Sequence, residues 1–134
     1  MNDYQRGLDQ FTAMVGEDRI EALLERFGSL CPDFRTEVIS VVGGRAWTRG
    51  GIDLKTRSLC SLCVLAALGR VNALRLNMEM ALNNGATLAE IFEALMQVAV
   101  YAGYPATWDA LVALEGVLED RGHEPDHEKG RGEA

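Results

Sequence analysis

Residues 59–70 read Leu-Cys-Ser-Leu-Cys-Val-Leu-Ala-Ala-Leu-Gly-Arg, an apolar run closed by a glycine. It follows Asp53-Leu54-Lys55-Thr56-Arg57-Ser58, in which Asp53 is a good helix N-cap. The run has no alternation of polar and apolar positions, so it does not read as a half-buried strand. It predicts a helix over 54–68 that is apolar nearly all round. Such a helix belongs in the centre of a domain or of an oligomer. Gly69 ends it.

Working outward, the same punctuation repeats. A helix runs from about Val71 to Asn84, stopped by Gly85 in a left-handed cap position. Thr87-Leu88-Ala89-Glu90 has the form of a capping box, so another helix starts at Leu88. Ile91, Phe92, Leu95, Val98 and Ala99 give its core face, and Gly103 and Pro105 break it after Tyr101. A last helix is expected from about Ala106 to Glu119. Toward the N-terminus, residues 3–14 and 17–27 read as helices separated by Gly16. Pro32 opens another, running to about Val42, where Gly43-Gly44 is expected to loosen the chain; Arg45–Gly51 then reads as an irregular connector. Runs of alternating Val, Ile and Thr bounded by turn residues are absent. The fold class is therefore all-α, six or seven helices in a single domain over residues 1–121. Residues 122–134 are Gly, Pro, Glu, His, Lys, Arg and Asp with one terminal Ala, a composition expected to be disordered.

The chain has 134 residues, 48% of them hydrophobic, enough for one proper core. Its net charge of −7 argues against a nucleic-acid partner, because phosphates need a basic patch. No segment approaches the roughly 20 apolar residues that span a bilayer, so no membrane partner is expected. The N-terminus lacks the basic and apolar regions of a signal peptide. With three cysteines, an odd number, this points to free thiols and a cytoplasmic location.

Cys60 and Cys63 form a C-x-x-C on the apolar helix. The spacing suits a redox pair, but the apolar flanks and the absence of a following histidine favour two small residues that fill a buried helix. Zinc fits less well: His123 and His127 both lie in the tail, and Cys31 precedes a proline. Arg57 sits at the rim of the apolar run, suited either to bidentate binding of a carboxylate or to an ion pair with Asp53 or Glu79. Ion pairs are the favoured reading for Arg49, Arg70 and Arg75. Asn77 lies among Leu74, Leu76, Met78 and Met80; it can orient a substrate carbonyl or bond a helix end, but it is neither acid nor base. Trp47, Tyr101, Tyr104 and Trp108 fall at helix breaks, where aromatics line pockets or pack at interfaces. The Tyr101 hydroxyl can donate to a developing enolate.

These blocks together resemble the carboxymuconolactone decarboxylase family of the alkylhydroperoxidase D-like superfamily. The likeness covers about residues 30–118 and is carried by Gly44–Arg49, Gly51–Leu59, Ala66–Arg70, Ala81–Thr87 and Gln97–Ala106. The resemblance implies an all-α bundle that assembles as a homo-oligomer, a hexamer or trimer. It also implies a small pocket between helices, partly at a subunit interface, that needs no cofactor or metal. The implied activity is the loss of CO2 from a small carboxylated lactone. The enzyme holds the carboxylate, stabilises a dienolate and returns a proton to carbon. Asn77, Arg57 and Tyr101 are then the candidate catalytic residues, and Trp47, Arg49, Ser40 and Tyr104 the candidates for substrate binding. Two positions depart from the family's pattern: Asn77 stands where a histidine is usual and Ser40 where a glutamate is usual. The superfamily's redox branch has its C-x-x-C at positions that correspond by spacing to Arg70 and Ala73, so Cys60 and Cys63 are not that motif and peroxidase activity is not implied. A diverged enzyme of secondary metabolism, catalysing cyclisation or isomerisation, and a non-catalytic ligand-binding member are the alternative readings.

Overall fold

The computed structural model describes residues 1–122; the expected tail beyond Gly122, with His123 and His127, lies outside the described residues. The described chain contains seven α-helices and one π-helical segment, with no strand among those residues. It divides into two compact units, the first from Met1 to Leu54 and the second from Lys55 onward.

The first unit holds α1 (Asp3–Val15), α2 (Ile20–Gly28) and α3 (Pro32–Glu37). Asn2 caps α1 by accepting a hydrogen bond from the Gln5 N–H at 2.8 Å, and Pro32 occupies the first turn of α3. Beyond Glu37 the chain does not loosen at Gly43-Gly44. It continues as a π-helix over Val38–Ala46, closed by the Trp47 N–H donating to the Val42 carbonyl five residues back, at 2.9 Å. The expected connector is correspondingly shortened at its start. The reason is packing against α1. A Cβ on Gly7 would overlap the Ile39 carbonyl oxygen and come within 2.8 Å of the Gly44 nitrogen, and a Cβ on Gly44 would overlap the Asp3 carbonyl. The glycines are crossing points of two helical backbones, and both Gly43 and Gly44 are buried. Phe11, Met14 and Ile39 fill the interior, with Phe11, Phe27 and Phe34 in successive edge-to-face contacts at 6.1 and 6.0 Å.

The second unit holds α4 (Leu54–Leu68, its first residue closing the first unit), α5 (Val71–Asn83), α6 (Leu88–Ala102) and α7 (Tyr104–Asp120). Gly69 and Gly85 end α4 and α5 with φ of 71° and 101°. After each, paired backbone bonds return to the helix: Arg70 N–H to Leu65 and Gly69 N–H to Ala66, then Ala86 N–H to Ala81 and Gly85 N–H to Leu82. This is the glycine-dependent C-cap that satisfies the last carbonyls. The capping box at α6 is complete: Thr87 Oγ1 accepts from the Glu90 N–H at 3.0 Å, and Glu90 Oε1 accepts from the Thr87 N–H at 2.9 Å. The last helix starts at Tyr104 rather than Ala106, because Pro105 fits its first turn. Leu62, Leu74, Met78, Ile91, Leu95 and Leu114 are central to one continuous core.

The apolar helix α4 is less enclosed within the chain than its sequence implies. Only Ser58, Leu62 and Ala66, a stripe at four-residue spacing, are buried, while Val64 and Leu68 are more than half exposed. Among the described residues no helix is long and apolar enough to cross a membrane.

Candidate functional site

The first turn of α4 is held at two points. The Ser58 hydroxyl, completely buried, accepts a hydrogen bond from the Asn84 amide at the C-cap of α5, at 2.9 Å. Lys55 Nζ lies 3.0 Å from Glu90 Oε2 at the N-terminus of α6. Arg57 lies between these anchors in sequence. It is half-buried, its Nε wholly enclosed and its side chain engaged in interactions of its own. A guanidinium on a turn fixed from both sides loses little further freedom when it meets an anion.

Glu90 is spent as an acid or base. The Thr87 N–H, first, and then the Lys55 ammonium hold its carboxyl below the usual glutamate range. It remains an ionised acceptor that ties α4 to α6.

Asn77 projects from α5 and is half-buried; its Nδ2 donates to the Ala73 carbonyl one turn earlier, at 2.9 Å. One N–H is thereby engaged, and an amide carries a second N–H and an oxygen. Arg75, two residues before it, pairs with Asp120 at 3.1 Å, the ion-pair role expected from its sequence setting.

Tyr101 and Tyr104 stand at the α6–α7 break, 85% and 69% exposed. Further exposed apolar residues lie on the same two helices. Tyr104, Trp108 and Val112 follow at four-residue spacing along α7, and Met96 and Val100 along α6, all roughly half exposed or more. The two helices are tied together by the buried Thr107 hydroxyl, which donates to the Leu95 carbonyl at 2.7 Å.

Ser40, Trp47 and Arg49 belong to the first unit. Ser40 lies half-buried in the π-helix, Trp47 is buried just after it, and Arg49 is exposed with its side chain engaged. Arg57, Asn77, Tyr101 and Tyr104 all belong to the second unit. Sequence reasoning missed Ser58, Asn84 and Lys55 as anchors. Their partners lie 26 and 35 residues away along the chain, beyond any local spacing rule.

The sequence pattern of the carboxymuconolactone decarboxylase family matches residues 32–116, from α3 to the last turns of α7. The chain belongs to this family. The matched span of this family member includes both anchors and all seven candidate site residues. Among curated proteins it is 36% identical over 129 residues to a 4-carboxymuconolactone decarboxylase of Acinetobacter baylyi, covering 94% of this chain and 96% of that protein. It is 27% identical over 117 residues to a nitrosuccinic acid decarboxylase of Metarhizium robertsii, covering 87% and 82% of the two chains. A 15.0 kDa protein of Paracoccus denitrificans is 30% identical over 134 residues, covering 92% of this chain and all of that protein.

Proposed function

We propose that this family member is a cofactor-free decarboxylase, a carbon–carbon lyase acting on a small carboxylated substrate that is unsaturated or a lactone. The observation that carries the reading is the 36% identity, end to end, with a relative named for 4-carboxymuconolactone decarboxylation. The second named relative acts on nitrosuccinic acid. An unsaturated lactone and a nitro group share one property: each can take up the electron pair left behind by departing CO2. A substrate with its own electron sink asks the protein for three things: a grip on carboxylate, donors for the developing oxyanion, and a proton for carbon.

Arg57 is the carboxylate grip, supported by its anchored turn. The second N–H of Asn77 donates to the oxyanion, as a neutral donor in place of the family's usual histidine. The Tyr101 hydroxyl returns the proton. An 85% exposed phenol is poorly placed for this while bathed in water, so its role goes with assembly. The exposed residues Met96, Val100, Tyr104, Trp108 and Val112 form the surface through which copies of this chain associate, enclosing Tyr101. Ser40, Trp47, Arg49 and Tyr104 remain candidates for substrate contact. The three thiols fit a reducing cytoplasm.

The test uses purified full-length protein with carboxymuconolactone and with nitrosuccinic acid, following CO2 release. Arg57→Ala is expected to raise KM by about 10- to 100-fold, the scale of one lost charge-assisted contact, with an unchanged circular dichroism spectrum. Asn77→His is expected to raise lactone turnover. Unchanged KM in the arginine variant would remove the carboxylate grip from the account.

A further inference from the structure

The C-x-x-C of α4 has no part in the decarboxylation reading, and the structure removes the packing explanation for half of it. Cys60 is exposed, so it fills no core, whereas Cys63 is half-buried with its thiol donating to the Ala94 carbonyl on α6 at 3.7 Å. We propose that Cys60 and Cys63 are a reversible redox-modification site, in which a hydroperoxide oxidises the two thiols to an intrahelical disulfide.

The geometry is that of residues three apart on a regular helix, whose Cα atoms lie about 5 Å apart, within the range disulfides span. Their Cβ atoms start about 5–6 Å apart and must draw in to about 4 Å. Closure therefore tightens the helix locally and breaks the Cys63 contact with Ala94. A bond formed against such a cost is readily reduced, which suits a switch rather than a structural staple. The two sulfurs differ as an attacking and a resolving thiol should: Cys60 is open to solvent, while burial, reinforced by the neighbouring Cys60 charge, pushes the Cys63 thiol up and keeps it protonated.

The chemistry balances in two steps. The Cys60 thiolate attacks one peroxide oxygen, the O–O bond breaks, and the alkoxide leaves and takes up a proton as alcohol. Cys60 is now a sulfenic acid. Cys63 sulfur then attacks the Cys60 sulfur; its proton and the departing hydroxide form water, and the S–S bond closes. Two electrons have passed from the sulfurs to the peroxide.

The first arm of the test uses the unsubstituted chain. Trypsin cuts after Arg57 and Arg70, so both cysteines fall in one peptide, Ser58–Arg70. The native full-length chain is treated with hydrogen peroxide, alkylated, digested and weighed. The expected result is that this peptide loses two hydrogens and takes up no alkylating agent, at peroxide doses that leave Cys31 alkylatable. Reduced glutathione restores both thiols. In Cys63→Ser the reaction is expected to stop at Cys60 sulfenic acid, trapped by dimedone. Double alkylation of the peptide after peroxide, stable sulfinic acid at Cys60 in the unsubstituted chain, or a disulfide between two chains would each overturn the proposal. None of these readouts depends on the decarboxylase assignment.

Discussion

Replacing Gly7 with alanine sets two effects of opposite sign against each other. In the interior of α1, alanine is the better helix former by about 1 kcal/mol. Against this, the new Cβ would overlap the Ile39 carbonyl oxygen and approach the Gly44 nitrogen. Both are backbone atoms, so relief requires α1 to move off the π-helix rather than a side chain to swing away. Overpacking of this kind costs typically 1–3 kcal/mol, sometimes more, and here it should exceed the propensity gain. A net loss of about 2 kcal/mol moves a urea midpoint down by roughly 1 M. Trp47 fluorescence is the appropriate probe, because Trp47 is 6% exposed in the same unit whereas Trp108 is 69% exposed and changes little on unfolding. Gly116→Ala is the control. It too lies inside a helix, but the nearest atoms its Cβ would meet are those at the tip of the Arg75 side chain. That tip can move at the expense of an exposed ion pair worth about 0–1 kcal/mol, so Gly116→Ala should be nearly neutral. A Gly7→Ala protein as stable as the parent would refute the close crossing of α1 and the π-helix.

Glu90→Gln should lower the melting temperature at pH 7. Because the folded-state pKa of Glu90 is depressed, its contribution is present above the ordinary glutamate value of about 4.3 and is lost as pH falls through the lower folded value. The gap between parent and variant should therefore close in acid; a gap constant down to pH 3 would contradict the Thr87 and Lys55 contacts. Thr107→Val keeps the shape of a buried side chain but deletes its bond to Leu95, and should cost about 1 kcal/mol, or roughly 4 °C in Tm. Trp108→Asp should shift the protein to smaller species in light scattering while leaving the helical signal intact; an unchanged mass would remove the α6–α7 face from assembly.

Much of the fold was legible because its boundaries are chemical. Gly69, Gly85 and the Thr87–Glu90 box each specify a backbone event at one place, and the helices start or stop there. The π-helix was not legible. Hydrophobic periodicity does not distinguish a five-residue backbone bond from a four-residue one over one or two turns, and Gly43-Gly44 reads as a break unless the helix crossing it is known. The exposure of Val64 and Leu68 was hidden for a related reason: an all-round apolar helix calls for cover, and its sequence does not say whether the cover comes from its own chain. At the candidate site, Arg57 stood out by its position at the edge of an apolar run. The anchors that fix its turn did not, because Ser58 looks like one more small residue and Glu90 is fully explained by its cap. Asn77 is, by its sequence, a polar group that must find a partner, and its Nδ2 finds one in its own helix backbone, at the Ala73 carbonyl.

The most direct test of the decarboxylase account is the fate of the lactone acid turned over in heavy water by the full-length protein. The account predicts one CO2 released per product molecule, at a rate proportional to enzyme, and one deuterium fixed at carbon. Release of CO2 no faster than in buffer, from both the lactone acid and nitrosuccinic acid, would contradict it.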